Sequence, residues 1–219
     1  MRILLIIFLN LIPYLGTGQS NGIYLESQFF VQDESFRKID GVSYDDIIGS
    51  PYLSDSFTSA SIYLNGQQKP VEAELRFNVV KNNFEFKKND VVLTLDSSSE
   101  IDSIIYDKKK FIVIDDEVDR FYEYLHGTEI LLLRNYKAYF SRAEKSNNPY
   151  ESEKPNEFVK QPDEFVLVDV KEDIKLTIKN RRSLYSLFGK KAIKSLDKEY
   201  DFEYDKVDDL IILLKKLGY

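Results

Sequence analysis

Residues 71–80 alternate with a period of two. Val71, Ala73, Leu75, Phe77 and Val79 point one way, and Glu72, Glu74, Arg76 and Asn78 point the other. This pattern predicts a strand with one dry and one wet face. Ile174, Leu176 and Ile178 repeat it against Lys175, Thr177 and Lys179. Shorter apolar runs at 23–31, 57–64, 84–86, 91–95, 101–106, 111–114, 130–133, 136–140 and 165–168 read as further strands. The turn signals between them are short: Gly49-Ser50-Pro51, Asn65-Gly66, Lys81-Asn82-Asn83 and the lysines Lys108 to Lys110. Strands joined by such turns pair antiparallel. Residues 119–125 fit either a strand or a helical turn carrying Phe121, Tyr122 and Leu125.

Beyond Asn180, a plausible N-cap, the period lengthens. Leu184, Leu187, Phe188 and Ala192 form one helical stripe. A last helix is expected from Asp205, which would cap it. Val207, Leu210, Ile211, Leu214 and Leu217 lie on one face. Asp208 and Asp209 sit at its start and Lys215 and Lys216 at its end, as the helix dipole favours. The expected fold is mainly β: an antiparallel meander, or a curved half-barrel sheet, covered by C-terminal helices within 181–219. A half-buried meander leaves an apolar face that such helices would bury.

The N-terminus has its own signature. Arg2 precedes an apolar run from Ile3 to Leu15, then Gly16-Thr17-Gly18. A basic start, a short apolar stretch and small residues are the parts of a secretion signal. The run is too short to span a bilayer, which takes about 20 residues. The expectation is a signal peptide over 1–18, with cleavage after Gly18 or alternatively Ser20, and one mainly-β domain over 19–219. No later segment reads as a transmembrane helix. The location implied is periplasmic or secreted.

Composition narrows the chemistry. The chain has no cysteine, so disulfides and thiolate sites are absent. Its formal charge of -7 disfavours nucleic-acid binding. Fifteen Phe and fifteen Tyr, with no Trp, suit pleated surfaces. Clusters Lys108–Lys110 and Lys190–Lys191 read as solvated turns or helix ends. Serine, asparagine, proline and charge dominate 141–156, the longest expected loop and the best site for proteolytic nicking.

His126 is the sole histidine, so a Ser-His-acid triad or a catalytic zinc site would have to use it. No glycine pattern around a serine supports the triad, and His126 reads as structural or surface-exposed. The acid clusters are Asp45-Asp46, Asp115-Asp116-Glu117-Asp119, Asp163-Glu164 and the run Asp201, Glu203, Asp205, Asp209. None has the glycine and terminal glutamate of a helix-loop-helix calcium site. Two carboxylates flanking a cleft would suffice for glycoside hydrolysis. No nucleotide-binding glycine motif occurs. No catalytic, cofactor-binding or metal-ligating role is assigned to any residue, and no cofactor is implied.

Gly49-Ser50-Pro51-Tyr52-Leu53, with Phe57 following and Leu75-Arg76-Phe77-Asn78 further on, resembles a set of uncharacterised secreted proteins from Bacteroidetes. These share a signal peptide, the turn, the strand and two C-terminal helices, over roughly residues 40 to 219. The resemblance implies an exported or periplasmic protein and carries no activity to transfer. Three functions fit: a non-catalytic binding or interaction protein of the cell envelope, its partner an envelope protein or an apolar ligand; a carboxylate-based hydrolase of a polysaccharide or similar polymer; and a structural envelope component.

Overall fold

A computed structural model describes residues 30–31, 37–88, 91–95, 100–114, 120–144 and 154–219. The expected signal at 1–18 and the acidic run 115–119 lie outside them, as does most of the apolar run at 23–31. In chain order the strands are β1 Phe30–Val31, β2 Lys38–Ile39, β3 Val42–Ser43, β4 Thr58–Leu64, β5 Val71–Asn78, β6 Asn83–Lys88 and β7 Val91–Leu95. They continue with β8 Ile101–Tyr106, β9 Lys109–Ile114, β10 Arg120–His126, β11 Ile130–Ser141, β12 Glu157–Asp169 and β13 Ile174–Ile178. Three helices follow: α1 Tyr185–Phe188, α2 Lys190–Tyr200 and α3 Val207–Leu217.

Eleven strands form one antiparallel sheet in the order β1-β7-β6-β5-β4-β8-β9-β10-β11-β12-β13, and β2 and β3 pair separately. The mainly-β, helix-covered architecture matches the expectation, but the path is not one meander. Two meanders, β4–β7 and β8–β13, lie side by side because β8 returns next to β4. Of the ambiguous stretch 119–125, the described residues 120–125 are strand: Arg120 to Tyr124 pair with β9, and Glu123 and Tyr124 pair with β11.

The sheet curls. Asn82, in the turn between β5 and β6, donates its Nδ2 to Phe121 O at 3.0 Å and accepts Phe121 N–H at 2.7 Å. Phe121 belongs to β10, four places from β5 and five from β6 in the strand order. The two ends, β1 and β13, do not pair, so the curl is an open half-barrel. Its inside is filled by alternate residues of β4 to β11, among them Leu75, Phe77, Phe84, Tyr106, Phe111 and Phe121. The ring of Phe84 lies 4.8 Å from Phe77, 5.2 Å from Phe111 and 5.1 Å from Phe121. Tilted and edge-on contacts at these separations are the favourable ones.

A second core lies between β11–β13 and the helices. Leu132, Leu167 and Ile178 from the strands meet Leu184, Ile193, Leu210, Leu213 and Leu214. The helical stripe differs from its expected course. Asn180 does cap a 3-10 turn at Arg181–Leu184, accepting Arg182 N–H and joining Ser183 in a capping box. Gly189, at φ +79, then breaks the helix between α1 and α2. The break re-phases α2, so Ile193 is buried while Ala192 is exposed. The last helix also starts later than expected. Lys206, not Asp205, holds the N-cap position, and Asp209 folds back to accept Glu203 N–H at 2.8 Å. Asp208 and Asp209 occupy the first turn and Lys215 and Lys216 the last.

Segment 37–57 forms a third layer. Ile48 N–H donates to Asn156 O, and Phe158 N–H donates to Ile48 O. Leu53 N–H donates to Phe77 O, and Val79 N–H to Pro51 O. The segment therefore straps β5 to the start of β12. Gly49 is required at φ +84, where a Cβ would stand 2.9 Å from Phe158 O. No described helix is long and apolar enough to cross a membrane.

Candidate functional site

The strap changes the character of β5. By alternation Arg76 and Asn78 belong to the wet face, yet both are buried, with Glu85 directly opposite Arg76 on β6. Arg76 Nη2 lies 2.6 Å from Glu85 Oε2, with side-chain exposures of 11 and 0 %. The guanidinium is sandwiched between Tyr52, 3.6 Å from the ring centre, and Phe57 at 4.5 Å. Asn78 Nδ2 donates to the other Glu85 oxygen at 3.1 Å. The turn around Tyr52 and the strand containing Asn78 are thus two halves of one clamp, joined by a Tyr52–Asn78 bridge. Burial, then the Glu85 charge, pushes the Tyr52 phenol above its ordinary range, so it stays neutral. The clamp is closed and reads as a structural feature, although Tyr52 Oη and Arg76 Nε have no hydrogen-bond partner within it.

A second polar group lies on the inner face between the two cores. Alternation along β11 places Ile130, Leu132, Arg134 and Tyr136 on one side. Arg134 Nη1 is 3.3 Å from Glu123 Oε2, and its Nε is 3.7 Å from Asp163. Tyr136 Oη donates to Glu123 at 2.7 Å. Bulges aim these side chains. The register slips in β10 between Tyr124 and His126, and β12 sets both Pro162 and Asp163 opposite Tyr136. Proline is tolerated there because it supplies no ladder N–H. Burial, opposed by the Arg134 charge, holds the Asp163 carboxyl above its ordinary value. Burial alone would lower Arg134, but the Tyr136 hydrogen bond and the Glu123 charge outweigh it and keep the guanidinium charged. Both carboxylates share one cation, and Asp163, at 34 % side-chain exposure, reaches solvent.

The other sequence candidates do not converge. Asp45 is exposed and paired with Arg37. Glu164 engages Lys137 and Asn135. Asp201 ends α2 in the left-handed region. His126 is half-buried at the end of β10. Among the described residues, no three acidic or histidine side chains gather as a metal site would require. Asp107 and Lys108 form the β8–β9 turn, as the lysine cluster suggested.

A third feature was not visible in the pattern. An open depression of about 540 Å³ lies where the β10–β11 turn, the β12–β13 turn and the last residue meet. Glu129, Asp169, Val170, Lys171, Glu172 and Tyr219 are among its lining residues. Val170 is 57 % exposed and Tyr219 41 %, and Ile174, paired with Asp169 in register, is 45 % exposed. By contrast, the narrow apolar slit beneath the helices, lined by Leu132, Leu167 and Leu210, has no room for a water-sized guest. Compared with known proteins, the chain matches no family model, no curated protein and no solved structure.

Proposed function

We propose that the chain is a non-catalytic interaction protein of a bacterial cell envelope, exported by residues 1–18 and engaging a protein rather than an enclosed apolar ligand. The observation that carries this reading is the contrast between a filled interior and an open depression that exposes Val170 and Tyr219 among charged residues. Phe77, Phe84, Phe111 and Phe121 close the half-barrel with their own rings, and the slit under the helices admits no guest. Exposed apolar side chains gathered around a concavity are a feature of interaction surfaces.

The test is affinity capture with tagged 19–219 from envelope extracts, with proteins and extracted lipids analysed together. A protein retained in stoichiometric amount, without lipid, is expected. A stoichiometric lipid, or full-length chain with residues 1–18 intact in the cytoplasm, refutes the reading. The hydrolase alternative has one observation in its favour: Glu123 and Asp163 share Arg134, and burial separates Asp163 from an ordinary carboxylate. Release of reducing ends from an envelope polysaccharide, abolished by Asp163→Asn, would favour it over an interaction role.

A further inference from the structure

Resting on that interaction reading, we infer that the depression at the β12–β13 turn receives a basic segment of a partner protein, a Lys or Arg flanked by an apolar side chain. The walls are preorganised. Val170 N–H donates to Glu129 O at 3.0 Å, which ties the β12–β13 turn to the β10–β11 turn. The Asp169 carboxylate accepts the N–H groups of Lys171 and Glu172, each at 3.0 Å, which fixes the turn. Tyr219 N–H donates to Leu214 O at 3.0 Å, and its ring lies 5.7 Å from Phe188. A site ordered before binding loses little entropy on capture.

The chemistry of the lining selects the occupant. Glu129, Asp169 and Glu172 supply three carboxylates against one ammonium, Lys171, for a net of -2. The whole chain adds a negative field, with a formal charge of -7, which steers cations toward it. Tyr219 offers a ring face to a cation, and Val170 offers apolar contact beside it. An anionic segment meets like charge, and a purely apolar one leaves the carboxylates without partners. A volume near 540 Å³ suits one or two side chains, so the segment docks by an anchor and does not thread through the protein.

The probe is the pentapeptide acetyl-Lys-Leu-Lys-Tyr-Lys-amide, titrated into isotopically labelled 19–219 and followed by amide chemical shifts. Its control is the same peptide with glutamate replacing lysine. Shifts confined to the two turns and Tyr219 are expected with the basic peptide alone. The double variant Glu129→Gln/Glu172→Gln weakens binding on the order of five- to tenfold, as two partly exposed charge contacts allow. Val170→Ser weakens it severalfold, and both effects leave the unbound spectrum intact elsewhere. Raising the salt concentration weakens the wild-type complex. Equal response to both peptides, shifts located elsewhere, or shifts driven by protein concentration alone (a second copy as occupant) would overturn the inference. Capture of an envelope partner undiminished by the Glu129/Glu172 variant sinks this site but leaves the interaction reading standing. Capture of no partner, with the peptide still bound, does the reverse.

Discussion

Replacing Arg76 by Met keeps much of the side-chain volume and removes the charge. Glu85, wholly buried, is then left with Asn78 alone on its carboxylate. Breaking a buried pair by removing one partner costs about 3–5 kcal/mol, because the remaining charge is uncompensated. That figure includes the stacking of the guanidinium on Tyr52 and Phe57, which contributes on the order of 0.5–2 kcal/mol. For a domain of this size it corresponds to a fall in Tm of roughly 6–20 °C, at about 2–4 °C per kcal/mol. Against a total stability of about 5–15 kcal/mol the loss is large. Urea unfolding, followed by far-UV circular dichroism and tyrosine emission in this Trp-free chain, measures it. The decisive comparison is the cycle with Glu85→Gln. Arg76→Met/Glu85→Gln is expected to recover at least half of the loss, giving a coupling energy of about 2 kcal/mol or more. A loss below about 1 kcal/mol for Arg76→Met, or strict additivity, would mean that the strap does not seal the pair from water.

The strap has a second test. Gly49→Ala is expected to destabilise by about 2 kcal/mol, since positive φ costs roughly 1–2 kcal/mol and the new Cβ also meets Phe158 O; Gly66→Ala, at φ +77 with open space, is expected to lose about 1 kcal/mol. The same urea titration separates them. In the half-barrel, Phe111→Ala removes a ring that touches Phe77, Phe84 and Tyr136, for an expected loss of about 3–5 kcal/mol. In the helical cover, Arg181 Nη1 and Tyr204 Oη both donate to Asp197, at 2.6 and 2.8 Å. Burial pulls the Asp197 carboxyl up, but these hydrogen bonds and the Arg181 charge outweigh it and hold it below its ordinary value. A depressed folded value stabilises above the unfolded carboxylate range, and this contribution is lost as pH falls through the folded value. Asp197→Asn is therefore expected to be less stable than wild type at neutral pH, with the gap closing on acidification; a pH-independent gap in thermal melts would contradict the assignment.

Local pattern reported the strands faithfully where one face is dry and one wet. Val71 to Asn78 and Ile174 to Ile178 are strands at nearly the expected bounds. It misled at Arg76 and Asn78 because alternation treats every polar residue as solvent-facing, and a buried ion pair has the same spelling as a wet face. The usable signal was the opposite charge of Arg76 and Glu85 across a tight turn. For 119–125, Phe121, Tyr122 and Leu125 match a helical spacing, and only pairing with β9 and β11 decides for strand. The order of strands was not legible, since nothing local says that β8 returns beside β4. Ala192 falls off the buried stripe because Gly189 interrupts the helix, which a straight helical period does not register. The depression was invisible for a related reason: its walls come from residues 128–130, 169–172 and 219, which no short window joins.

The polar group at Glu123, Arg134, Tyr136 and Asp163 follows from the curvature. One sheet face cannot curl over its own strands and also lie flat beneath helices without a change of twist between the two regions. Bulges supply such a change by giving one strand an extra residue and a local bend. Here the register slips in β10 and again in β11–β12, between the half-barrel core and the helix-covered core. At that bend neither core covers the surface fully, so the side chains of Arg134 and Asp163 retain contact with water. Polar residues satisfy the position better than apolar ones, provided that each buried charge has a partner. Two carboxylates and one guanidinium leave a net charge of -1 here; Glu123 and Tyr136 are buried, and the more exposed Asp163 carries its share of the charge toward water. The group is thus accounted for by the fold alone, and it divides the inner face into two apolar units that differ in what closes them: strands in one, helices in the other.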